Sequence, residues 1–163
     1  MKIYIFTLFA FLFILIESCK KDKIKGCMDS SASNYDKNAE EDNGSCIFER
    51  DKFLGNWSGL YANTNNSGTP DTILNFPFSI TRNINIKNEV VINDFPISGV
   101  QSAASVNTTN RFALVIPKQI ITSGLDSFGV SGVGQVSDNQ IVFRLLKELP
   151  GILDTISVSA QKQ

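Results

Sequence analysis

Hydrophobic and polar positions divide the chain into three regimes. From Ile3 to Ile16 every residue but Thr7 is Ile, Tyr, Phe, Leu or Ala, an apolar block without alternation. From Lys20 to Cys46 the chain is dominated by Lys, Asp, Asn and Ser. From Ile47 apolar and polar residues begin to alternate in short runs, which places one face of each run in a core and the other in water. Phe53 to Tyr61 reads as a first strand bent at its glycines. Thr72 to Ile80 is a second, and Ile84-Asn85-Ile86 extends its alternation toward a turn at Lys87-Asn88. Further strands are predicted at Glu89–Phe95, at Ile97–Val106 after the break at Pro96, and at Arg111–Ile116, stopped by Pro117. Ser127–Val136, Gln140–Leu146 and Leu153–Ala160 follow, with Asp138-Asn139 as a tight turn. No stretch beyond the leader has helical periodicity. About eight short strands separated by turns argue for an all-β antiparallel up-and-down barrel or sandwich.

The apolar block begins behind Lys2 and ends at Glu17. A positive start followed by a short apolar core is the layout of a secretory signal peptide. A permanent span is the competing reading, but it needs about 20 apolar residues and this run is shorter. Leu15-Ile16-Glu17-Ser18-Cys19 resembles the lipobox of bacterial lipoproteins, although Glu17 departs from the usual small or apolar residue. The resemblance implies cleavage after residue 18 and acylation of Cys19, with palmitate-like chains on the new N-terminus. One acyl chain binds a membrane reversibly, whereas two or three hold stably. Ser18-Cys19-Lys20-Lys21-Asp22 is similar to the start of mature lipoproteins of Bacteroidota. That similarity implies outer-membrane attachment on the periplasmic or cell-surface face. Without lipidation, Cys19 is simply the odd cysteine of three.

Cys27 and Cys46 bracket a polar segment, and in an exported protein such a pair is most simply a disulfide. Closing that loop contributes about 3 kcal/mol on a chain-entropy estimate. The pattern Gly-Cys-x-Asp-x-x-Ala-x-Asn-Tyr, ending in Asp-x-Gly-Ser-Cys, resembles a cysteine-bracketed module of extracellular Bacteroidota proteins. Within it Asp29, Asn34, Asp36, Asn38, Glu40 and Asp42 are hard oxygen donors, the ligand type calcium takes. Their spacing does not fit the EF-hand loop. The same residues also populate solvated turns, so a calcium site and a purely structural loop both stand.

Gly55-Asn56-Trp57, followed by Gly59 and Tyr61 and then a strand meander, is similar to the opening of lipocalin-like domains. The resemblance implies a barrel closed at one end by Trp57, with a small apolar ligand inside. It also implies a basic residue over the tryptophan, for which Arg144 and Lys162 are the candidates. Trp57, Tyr61, Phe76, Phe78, Phe112 and Phe128 are the aromatics expected to line such a cavity, since pockets are mostly apolar. The same rings serve equally well to fill a small barrel solid.

Composition narrows the function further. The formal charge is −1 with no basic face, which excludes nucleic acid as a partner. There is no histidine, so neither a Ser-His pair nor a His-ligated metal is available. Gly129-Val130-Ser131-Gly132 lacks the spacing of a nucleophile elbow, and Gly132-Val133-Gly134 lacks the rest of a dinucleotide fingerprint. Asp94, Asp126 and Asp154 are carboxylates that nothing in the sequence pairs. The expectation is a non-enzymatic lipoprotein without a cofactor, apart from the calcium alternative. It comprises a signal peptide (1–18), a lipidated tether (19–26), a disulfide module (27–46) and a lipocalin-like β-domain (51–163). It either binds a small hydrophobic ligand in a barrel or has a filled core and acts through surface loops such as Asn63–Pro70 or Lys118–Leu125.

Overall fold

Because strand residues alternate between two faces, a chain that keeps one apolar face through eight strands can close on itself and bury that face. This chain does so. The computed structural model describes residues 21–64 and 70–163. The leader, the lipidation candidate Cys19 and residues 65–69 of the polar loop lie outside the described residues. The chain divides into two compact units between Cys46 and Ile47.

The first unit carries little regular structure. β1 (Lys25–Gly26) pairs in parallel with β2 (Glu41–Asp42), and Cys27 bridges Tyr35. Among its described residues only Cys27 and Ala32 are buried hydrophobics, too few to order the segment unaided. The Cys27–Cys46 disulfide expected from the sequence is present and closes the loop.

The second unit opens with a 3-10 turn, Glu49–Phe53, that the alternation did not reveal. Then come β3 (Gly55–Thr64), β4 (Pro70–Arg82), β5 (Glu89–Asn93), β6 (Gln101–Val106), β7 (Ala113–Ser123), β8 (Asp126–Ser137), β9 (Gln140–Leu149) and β10 (Ile152–Lys162). Each strand pairs antiparallel with the next, and β10 returns to β3, giving a closed eight-stranded up-and-down barrel. The sandwich alternative is thereby removed. Antiparallel order sends the turns alternately to two ends. One end holds the 3-10 turn and the connections at 83–88, 107–112 and 138–139; the far end holds those at 94–100, 124–125 and 150–151.

Several boundaries differ from the sequence reading: Asn63 and Pro70, expected in a loop, belong to β3 and β4, β5 ends at Asn93 rather than Phe95, and β6 starts at Gln101 rather than Ile97 because residues 94–100 form a connection. Ile84 and Ile86 belong to a turn rather than to a strand, and Ile84 is almost fully exposed. Asn83 ends the alternation: its Oδ1 accepts from the backbone of Asn85 and Ile86, a local bond that competes with the ladder. Conversely, Pro117 does not stop β7. A bulge between Ile116 and Gln119 absorbs it, and the strand runs on to Ser123, so most of the expected 118–125 loop is sheet. There the side-chain amide of Gln119 replaces a missing peptide: Oε1 accepts from Ala103 N and Nε2 donates to Ala103 O, both at 3.0 Å.

The barrel interior is packed. Tyr61, Phe76, Phe78, Phe95 and Phe143 form a continuous chain of ring contacts, with the Phe95 and Phe143 centroids 4.7 Å apart. Phe95 comes from the 94–100 connection, yet it is fully buried. Gly59 permits the closest approach of β3 and β10, because a Cβ there would lie 2.0 Å from the Ser159 carbonyl oxygen.

Candidate functional site

Trp57 follows Gly55 at the start of β3 and is 1% exposed. Its indole N–H donates to the Phe53 carbonyl at 3.0 Å, which ties the 3-10 turn to the barrel end. The Lys162 ammonium lies 5.5 Å from the Trp57 ring centroid, a cation–π contact from the last strand. Of the two basic candidates, Lys162 therefore takes the position over the tryptophan. Arg144 faces solvent on β9.

Arg50, which sequence reasoning missed, completes this end. Although only 7% exposed, its guanidinium donates to the carbonyls of Asn83 (2.9 Å), Ile86 (2.8 Å) and Glu89 (3.3 Å), closing the 83–88 turn under the 3-10 turn. Glu49 accepts from Lys52 at 2.7 Å and from Arg111 at 3.2 Å. Its carboxyl is held below the usual range, first by the Lys52 hydrogen bond. The only signal that could have found this cap is Glu49-Arg50-Asp51-Lys52, a charged run just before the first strand.

Five of the six aromatics expected to line a cavity are buried: Trp57, Tyr61, Phe76, Phe78 and Phe128. Phe112 stands apart on the outside, 58% exposed, with the Lys52 ammonium 4.3 Å from its ring centroid. Phe95, another aromatic that the sequence offers as lining a cavity or filling the barrel, is fully buried in the lumen.

A cleft lies beside β4, and four of the six expected aromatics, Trp57, Tyr61, Phe76 and Phe78, line it. β5 pairs only with Ser79–Arg82 of the thirteen-residue β4, and residues of the 94–100 connection face the rest of that side across a gap. The resulting space is about 850 Å³ and is bounded by Tyr61, Ile73, Phe76 and Phe78 on one side and by Pro96 and Ile97 on the other. Ser58, Ser79, Asp94 and Ser98 add polar groups to its walls. Asp94 is held in place by its own loop, its Oδ1 accepting from Gly99 N at 2.8 Å. Asp126, Asp154 and Asp94 are not gathered into one site: Asp126 starts β8 in solvent and Asp154 is buried on β10.

In the disulfide module the oxygen donors serve turns. Asp29 Oδ1 accepts from the backbone and hydroxyl of Ser31, Asp36 Oδ1 from Asn38 N, and Asp42 Oδ1 from Gly44 N. Asn34 Nδ2 donates to Ser45 O at 2.7 Å. Among the described residues no three His, Cys, Asp or Glu side chains converge on a point that could hold an ion.

No family model, curated protein or solved structure matches this chain.

Proposed function

We propose that this protein is an exported, lipid-anchored, non-enzymatic barrel that binds a small apolar molecule in the cleft beside β4. The cleft carries the reading. Its volume falls in the range of roughly 300–1,000 Å³ typical of small-molecule sites, and its apolar walls with a few polar groups suit such a ligand. The packed lumen argues against binding along the barrel axis. Export and anchoring rest on the leader and on the lipobox at Cys19, whose resemblance to lipoproteins of Bacteroidota also supports outer-membrane attachment.

The test is fluorescence of N-phenyl-1-naphthylamine titrated into the purified chain, with native mass spectrometry for a co-purified molecule. Saturable binding is expected, and Ser98→Trp, which fills the cleft from an exposed position, should abolish it without changing the fold. Absence of binding, or binding indifferent to Ser98→Trp and Ile97→Glu, refutes the reading. The packed core favours a second reading, a lipoprotein that acts through surface contacts, and that refuting result would leave it standing. Anchoring is tested separately by palmitate labelling, which Cys19→Ser should eliminate.

A further inference from the structure

Asp94 sits where β5 gives way to the 94–100 connection, and among the described residues it is the one charged group on the walls of the β4 cleft. The other polar groups there, from Asn56, Ser58, Ser79, Ser98 and Gln163, are neutral amides and hydroxyls. Lys162, whose ammonium lies over Trp57, is not part of those walls. The Asp94 carboxylate is also fixed in place. Its backbone is left-handed, with φ 58°, a conformation that Asp adopts more readily than most residues. Oδ1 accepts from Gly99 N at 2.8 Å, and the next residue, Phe95, is fully buried in the core. That bond engages one oxygen, whereas a carboxylate accepts through both.

We infer that the ligand of this cleft is a cationic amphiphile, an apolar body carrying a protonated amine that binds Asp94. The inference rests on the reading of the cleft as a small-molecule site and adds the sign of the ligand's charge. A carboxylate or phosphate head meets a like charge, with no cation on the described walls to offset it. A neutral head gains ordinary hydrogen bonds. An ammonium gains a charge-assisted bond to Asp94, roughly twice as strong. Tyr61, Phe76 and Phe78 cover the apolar body, and an aromatic face also attracts a cation within about 6 Å of its centroid.

The experiment is calorimetric titration of the purified chain, at neutral pH and low salt, with three probes that share one apolar body: 1-naphthylmethylamine, 1-naphthylmethanol and 1-naphthoate. The amine should bind about tenfold more tightly than the alcohol, the scale of one hydrogen bond to a charged group, and the naphthoate most weakly. Asp94→Asn keeps an Oδ1 acceptor for Gly99 and suits a left-handed backbone, so the loop should hold its shape. That variant should bring the amine level with the alcohol. Asp126→Asn, which removes an equal charge from the solvent-exposed start of β8, should leave the amine preference intact. An amine that binds no better than the alcohol, or a preference that survives Asp94→Asn, overturns the inference. Binding of N-phenyl-1-naphthylamine that persists alongside either result leaves the cleft standing as a site for apolar molecules, and its absence removes both.

Discussion

Phe95→Ala tests whether the barrel is held by a solid aromatic core. Phe95 is 0% exposed, and its ring centroid lies 4.7 Å from that of Phe143, 5.2 Å from Phe78 and 6.4 Å from Phe76. Truncation forfeits roughly 1.5–3 kcal/mol of transfer energy for the buried side chain. If the walls do not relax, a void of about 100 Å³ adds roughly 2.4 kcal/mol at the slope seen in core truncations. The expected loss is therefore about 4–5 kcal/mol, at the upper end for Phe→Ala. Domains of this size have about 5–15 kcal/mol in hand, so the variant should still fold in the absence of denaturant. Urea unfolding followed by Trp57 fluorescence reads the effect. With a slope near 2 kcal/mol/M, the midpoint should fall by about 2 M at unchanged slope. Phe95→Leu, which retains most of the volume, should lose much less. The variant should also gain internal binding of benzene, because an engineered apolar cavity stays dry and admits such ligands. A loss under about 1 kcal/mol, within the range of ordinary surface changes, would refute the solid-core account.

Other consequences concern the capped end and the glycines. Glu49 has a depressed carboxyl pKa in the folded protein, so its contribution is present above the unfolded value and is lost as pH falls through the folded one. Glu49→Gln should accordingly lower stability at neutral pH and flatten the acid limb of a melting-temperature profile as pH falls through and below the ordinary carboxylate range; an unchanged profile contradicts this. Arg50→Met keeps the packing stem but removes three bonds to the 83–88 turn, and should cost about 2–3 kcal/mol and speed amide exchange at Glu89. Wild-type exchange at that amide would count against the cap. Gly134→Ala would put a Cβ 2.3 Å from the Phe143 ring, which is fully buried and cannot retreat. A loss of about 1–3 kcal/mol is expected by chemical denaturation, and a neutral substitution would show that the ring is less confined than drawn.

The strand alternation and turn residues determined most of the architecture before any coordinates. They set the all-β class, the strand count near eight, the tight turn at Asp138-Asn139 and the disulfide between Cys27 and Cys46. These are readable from the chain itself: the period-2 pattern is written in neighbouring residues, and two cysteines bracketing a polar segment point to a disulfide. Gly55-Asn56-Trp57 likewise marked the start of β3 and the buried tryptophan.

Tertiary structure decided what depends on distant partners. Pro117 looked like a stop because proline lacks a donor, but a bulge and the Gln119 amide supply the ladder from elsewhere. Phe95 and Phe112 are alike in sequence, yet one fills the lumen and the other stands in solvent, since only closure of the barrel defines an inside. The cleft exists because β5 is shorter than β4, a difference that matters only once the two strands pair. Asp94 is one of several carboxylates that nothing in the sequence pairs, and it puts a charge on the cleft wall only where the 94–100 connection lies across from β4.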